Sequence, residues 1–86
     1  MKDYEKILKA LANRRRLQII KYLKEKKFAT VTAISKHIKL SFKSTSKHLA
    51  VLFGAGIVDK EQKNLSMFYS VADPLVKLTK RIVDLI

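Results

Sequence analysis

Apolar residues recur at helical spacing over most of this chain and change to strand-like runs only near its carboxyl end. Tyr4, Ile7, Leu8 and Leu11 predict a first helix over Asp3–Ala12, with Asp3 able to cap it. Asn13 offers a break and a second cap. A second helix follows over Arg14 to about Lys24, with Leu17, Ile20 and Leu23 inward and Ile19 and Tyr22 widening the stripe. Lys24-Glu25-Lys26-Lys27 forms a polar end whose cations suit a helix carboxyl terminus. Phe28 leads to Thr30, a cap for a short third helix, Val31–Ile38, that turns Ala33, Ile34 and Ile38 inward. Lys39-Leu40 makes a tight connection to Ser41, the next cap. The fourth helix runs from about Phe42 to Phe53 and buries Thr45, Leu49 and Leu52. Gly54 and Gly56 are expected to supply positive backbone angles at its exit.

Beyond Gly56 the period shortens. Ile57–Gln62 and Ser66–Val71 read as strands, and Asn64 between them tolerates the left-handed backbone of a tight turn. Asp73-Pro74 is a helix-start pair, and Leu75, Leu78, Ile82 and Leu85 then recur at helical spacing, with Val76, Val83 and Ile86 beside them. The fold class expected is mainly α with a small β-hairpin, in the order α-α-α-α-β-β-α. That is a winged helix-turn-helix, because the third and fourth helices are separated by only a few residues. One domain is expected over residues 1–86, with the helix-turn-helix at about 30–54, the wing at about 57–71 and the terminal helix at about 74–86.

Charge narrows the partner. The chain carries a formal net charge of +12, with 19 basic and 7 acidic residues, and a polyanion relieves such self-repulsion. From Lys26 to Val58 there is no Asp or Glu, while Lys26, Lys27, Lys36, Lys39, Lys43 and Lys47 are present. Basic surfaces also meet RNA, acidic proteins and membranes, so charge alone does not choose among them. Cysteine is absent, which removes disulfides, thiolate metal sites and thiol redox sensing, and fits a reducing cytoplasm. No run approaches the roughly 18 apolar residues of a membrane span. The interleaved charges of the first residues do not read as a signal peptide. There is no glycine-rich phosphate loop, Ser/His/Asp arrangement or carboxylate pair near the histidines, so catalysis is not expected.

A recognition helix sets its amino-terminal residues against base edges in the major groove. Here those are Phe42, Lys43, Ser44, Ser46 and Lys47, following Ser41. The serines donate or accept, and the lysines reach guanine acceptors or the phosphate backbone. Phe42 either meets a thymine methyl or packs beside Ile38. His48 is either a phosphate contact or a hydrogen-bonding residue inside the helix-turn-helix. Lys36 and Lys39 flank the turn, and Thr30 and Thr32 present hydroxyls and helix N–H groups to a phosphate. In the wing, Lys60, Lys63 and Asn64 are candidate backbone or minor-groove contacts, diluted by Asp59 and Glu61. Arg14-Arg15-Arg16 places cations at the positive end of a helix and calls for an anionic offset: Asp3, Glu5 or a phosphate. His37 and His48 lie on different helices without a nearby thiol or carboxylate, so no metal or other cofactor is expected.

Several of these residues carry a family resemblance. Leu40-Ser41 with Ser46-Lys47-His48-Leu49, then Val51-Leu52 and Ala55-Gly56-Ile57-Val58, resembles the recognition-helix signature of the arsenic-repressor (ArsR-type) regulators. Ala10-Leu11-Ala12-Asn13 with Arg16-Leu17 and Ile19-Ile20 is similar to that family's second-helix opening, and Phe68-Tyr69 to the end of its hairpin. The resemblance spans roughly Leu8 to Val71. It implies a homodimeric DNA-binding repressor, a structural or backbone role for Arg16, and a dimer interface on the first and last helices. Candidate interface residues are Tyr4, Ile7, Leu8, Leu75, Leu78, Ile82 and Leu85. The apolar row of the last helix independently exceeds what a terminal helix on so small a domain normally buries, although packing on its own domain is the alternative. Many members of the family sense metals through cysteines in the third helix or through carboxylates and histidines in the last. Here the third helix has no cysteine and the last has Asp73 and Asp84 but no histidine, so sensing at those sites is not expected. Ala50, Phe53 and Gly54 stand where charged residues are common in the family. The function expected is a cytoplasmic, dimeric repressor reading a pseudo-palindromic duplex site. A non-specific architectural DNA binder and a protein-interaction winged helix are the alternatives.

Overall fold

The computed structural model describes residues 3–86. Its elements are α1 (Tyr4–Leu11), α2 (Arg14–Lys26), β1 (Phe28–Thr30), α3 (Val31–Ile38), α4 (Phe42–Gly54), β2 (Val58–Lys63), β3 (Ser66–Val71) and α5 (Lys77–Leu85). This is a winged helix-turn-helix in which the wing belongs to a small antiparallel sheet.

Each of the first four helices starts on a side-chain cap. Asp3 Oδ1 accepts from the Lys6 N–H at 3.1 Å, Asn13 Oδ1 from Arg16 at 3.1 Å, Thr30 Oγ1 from Ala33 at 3.2 Å, and Ser41 Oγ from Ser44 at 3.1 Å. These short polar residues satisfy amide donors that a helix start leaves unpaired.

The structure corrects the predicted elements in three places. The sheet has three strands in the order β1-β3-β2, with Phe28 opposite Ser70, Ala29 opposite Tyr69 and Thr30 opposite Phe68. A strand as short as β1 shows no periodicity of its own and exists because β3 offers an open edge. The last helix starts at Lys77, with Val76 at its cap position and no side-chain cap bond, rather than on Asp73-Pro74. The Ala72 N–H donates to the Ile57 carbonyl at 2.9 Å, which prolongs the strand pairing and delays the helix. At the exit of α4, only Gly56 takes a positive φ (73°), whereas Gly54 is the last helical residue.

The core is a single cluster that draws on every helix and on the sheet. Ile19, Ile20 and Leu23 of α2 are fully buried with Ile34 of α3, Leu49 and Leu52 of α4, and Ile57 and Val58 at the start of the wing. These side chains hold α4 against the rest and leave its other face to solvent. Leu52→Ala empties part of this cluster, and we expect a loss of about 2–5 kcal/mol in unfolding free energy, measured by urea denaturation. A loss comparable to that of an exposed-site substitution would mean that α4 is not anchored there.

Candidate nucleic-acid interface

The turn between α3 and α4 is fixed by its backbone. Lys39 adopts a left-handed conformation (φ 56°, ψ 51°), and the Leu40 N–H closes on the Ser35 carbonyl at 3.0 Å. Ser41 then caps α4. With Thr45, Leu49 and Leu52 buried, the opposite face of α4 presents Phe42, Lys43 and Lys47 exposed and Ser44 and Ser46 half-exposed. Phe42 is 58% exposed, so most of its ring is not packed beside Ile38. Thr32, Lys36 and Lys39 are also exposed, and Thr30 is half-buried by its capping bond. The helix-turn-helix thus gathers hydroxyls and ammonium groups with no carboxylate on its own residues.

Two members of the arginine run make hydrogen bonds within the domain. Arg15 Nη1 donates to the Ile38 carbonyl at the end of α3. Arg16 donates from Nε to the Ala10 carbonyl at 2.6 Å and from Nη2 to the Lys9 carbonyl at 3.1 Å, both at the end of α1. Arg15 and Arg16 are therefore set against the negative ends of neighbouring helices. Arg16 thereby has the structural role that the family resemblance implied, with its guanidinium hydrogen-bonded within the domain.

Its third donor explains His48. Arg16 Nη1 lies 3.2 Å from His48 Nδ1. Guanidinium only donates, so Nδ1 accepts, and the neutral ring carries its proton on Nε2. Burial lowers the pKa of His48 below its ordinary value of 6.5, and the charges of Arg16 and then Arg15 lower it further. Of the two roles considered for His48, the structure contains the hydrogen bond within the domain, tying α4 to α2 and through Arg16 to α1.

The wing extends this face. Lys60 Nζ sits 4.4 Å from the Phe53 ring centroid, which packs the apolar end of α4 on β2. Lys63 Nζ lies 5.5 Å from the Phe28 ring centroid and 4.0 Å from a Glu61 carboxylate oxygen. Asn64 has φ 57° at the turn, and the next residue, Leu65, is 99% exposed. Sequence reasoning passed over Leu65; its signal was an apolar residue inside a two-residue turn.

Of the candidate interface residues, Tyr4, Leu8 and Leu85 are exposed and Leu75, Leu78 and Ile82 are half-buried. Ile7 is a correction to the interface set: it is 6% exposed and belongs to the core of its own chain, because α1 packs that face on the domain. Among the described residues, no three His, Cys, Asp or Glu side chains gather as a metal site, and no helix is long and apolar enough to cross a membrane.

The family model for "Bacterial regulatory protein, arsR family" matches residues 13–60, from the cap of α2 into β2. The chain belongs to the ArsR family. It is 37% identical over 71 residues to the transcriptional activator HlyU of Vibrio cholerae, a match covering 83% of this chain and 65% of that relative. The chain thus spans just under two thirds of HlyU's length in that match. It is 30% identical over 77 residues to the transcriptional repressor PagR of Bacillus anthracis, covering 90% of this chain and 77% of PagR. The structure of reduced HlyU superposes with a TM-score of 0.81 at 32% identity, covering 95% of this chain and 82% of that one. A homodimeric winged helix-turn-helix DNA-binding domain from Mycobacterium bovis, Mb0332, gives a TM-score of 0.81 at 28% identity over 95% of this chain and 72% of that one. This ArsR-family protein is accordingly a DNA-binding transcription regulator and not an enzyme.

The His48 contact gives a pH dependence. The folded chain holds His48 below its ordinary value, so the unfolded chain takes up that proton first as pH falls. The stabilising contribution is complete above pH 6.5 and is lost as pH drops through that value towards the lowered one. Melting curves of the wild type are expected to shift down over that window, and those of His48→Gln to shift less. Equal shifts would remove His48 as the titrating group.

Proposed function

We propose that this ArsR-family regulator is a dimeric repressor that reads a pseudo-palindromic duplex site through the amino-terminal face of α4. The observation that supports this most strongly is the exposed face of Lys43, Ser44, Ser46 and Lys47, within a segment that has no acidic residue from Lys26 to Val58. Lysine and serine at those positions suit guanine acceptors, phosphate oxygens and the other polar edges of a major groove. Lys36, Lys39, Thr30, Thr32 and Ser41 would follow the phosphate backbone on one side, and Lys60, Lys63 and Asn64 on the wing side. His48 would add its remaining Nε2–H to the same strand.

The chain is one winged-helix unit in this reading, and its dimer forms through α1 and α5. Tyr4, Leu8 and Leu85 offer apolar surface to water, with Leu75, Leu78 and Ile82 half-covered beside them. A second copy would cover that surface and set two α4 helices about one helical turn of DNA apart. HlyU is named an activator and PagR a repressor, so kinship supports either sign of regulation. Repression is the simpler outcome, because it needs only a dimer that occupies a promoter. Work on DNA sets the compartment as the cytoplasm.

Two measurements test this. Fluorescence anisotropy on duplexes enriched from a random pool should show that Lys47→Ala and Ser46→Ala each cost about 1–3 kcal/mol of binding to the enriched site and less on random duplex. Equal losses on both DNAs would turn α4 into a charged face without base readout. By sedimentation, Leu78→Glu with Ile82→Glu should give a folded monomer. A dimer that survives the pair would sink the α5 interface.

A further inference from the structure

Two large apolar side chains stand exposed beside the hydroxyl and ammonium groups of the helix-turn-helix and the wing. Phe42, in the first turn of α4, is 58% exposed, and Leu65, in the wing turn, is 99% exposed. Both line one groove of about 520 Å³, together with Thr30 and Thr32 at the start of α3. Leu65 has no evident structural task. Asn64 already supplies the left-handed backbone that the turn needs, at φ 57°. Leu65 also takes no part in the core and its satellites. A hairpin tip is a position where polar residues and glycine are ordinarily preferred.

The surroundings argue for the occupant. Lys63 is two residues from the tip, and Lys36, Lys39 and Lys43 are exposed around the helix-turn-helix of a chain with net charge +12. Such a surface brings a polyanion to the groove. Thr30 and Thr32 line the same groove with Val31, Ser66 and Met67, and the threonine hydroxyls suit a sugar–phosphate strand passing between α4 and the wing. An apolar side chain on the far side of that strand reaches the minor groove, where Leu, Phe, Ile and Met side chains act as wedges that part base steps and bend the duplex.

We propose that Leu65 is such a wedge: with α4 in the major groove, the cleft between Phe42 and Leu65 straddles one strand, and Leu65 enters the adjoining minor groove, partly unstacks a base step and bends the DNA. This rests on the reading of α4 as the DNA-facing helix. Leu65 then discriminates among sequences without a base hydrogen bond, because pyrimidine–purine steps part more readily than others.

The test uses duplexes enriched from a random pool by the wild-type protein, carrying a fluorescence donor and acceptor at their ends and 2-aminopurine at single steps. The wild type should shorten the end-to-end distance and raise 2-aminopurine emission at one step in each half-site. Leu65→Ala should keep the wild-type melting curve and the same salt dependence, bind the enriched duplex about tenfold more weakly, and bend it little. Leu65→Met should restore the bend. If Leu65→Ala binds and bends as the wild type does while Lys47→Ala still weakens the enriched site, the wedge is overturned and the α4 reading stands. If neither substitution changes duplex binding, both fall.

Discussion

The packing of α4 governs the rest of the molecule. Thr45, Leu49 and Leu52 are completely buried, and they hold the helix by one face against α2, α3 and the first residues of the wing. A helix gripped along one stripe has no freedom to roll. Its opposite face is therefore set, and that face carries Lys43, Ser44, Ser46 and Lys47. The same grip explains why α4 tolerates an apolar carboxyl end: Phe53 is partly covered by Lys60 of β2 and helps to aim the wing. Among the described residues the fully buried Thr45 hydroxyl meets no hydrogen-bond partner.

Arginine chemistry makes the grip compatible with a chain of high positive charge. The guanidiniums of Arg15 and Arg16 are turned onto the carbonyls that end α3 and α1, where partial negative charge is concentrated. Two of the most strongly basic groups are thus used as internal ties, joined by Lys24, whose Nζ donates to the Val83 carbonyl of α5 at 2.7 Å, while the lysines of the helix-turn-helix and the wing are exposed. Guanidinium is planar with five fixed donors, so Arg16 serves two carbonyls at once, whereas the Lys24 ammonium serves one. His48 completes the tie by accepting from Arg16, and burial, then the charges of Arg16 and Arg15, disfavour protonation of its ring.

The wing is more firmly attached than a free hairpin would be. The short β1 adds a third strand and joins the start of α3 to the same sheet that carries the wing tip. A two-stranded hairpin is at best marginally stable in water, so the third strand and the Phe53–Lys60 contact give the tip a defined position. Leu65 is therefore displayed from a supported element, on the same groove as the start of α4.

The elements of the helix-turn-helix were legible from spacing alone. The recurrence of Leu49 and Leu52, the caps at Asp3, Asn13, Thr30 and Ser41, and the stop near Gly56 are local features, and local features are written in consecutive residues. The run of lysines without acids was equally visible and pointed to a polyanion. What spacing does not carry is which distant group each side chain meets. Arg16 and His48 are 32 residues apart, and Phe28 and Ser70 farther still, so neither the tie nor β1 has a sequence period. The same reason moved Ile7 from a supposed interface into the core, and moved the start of α5 past Asp73-Pro74 once Ala72 was held by Ile57. By itself the sequence determined the first four helices, their caps and the run of lysines without acids. Only the tertiary structure decided which cations are spent inside and which apolar side chains remain exposed, because both outcomes depend on contacts that form when the chain closes on itself.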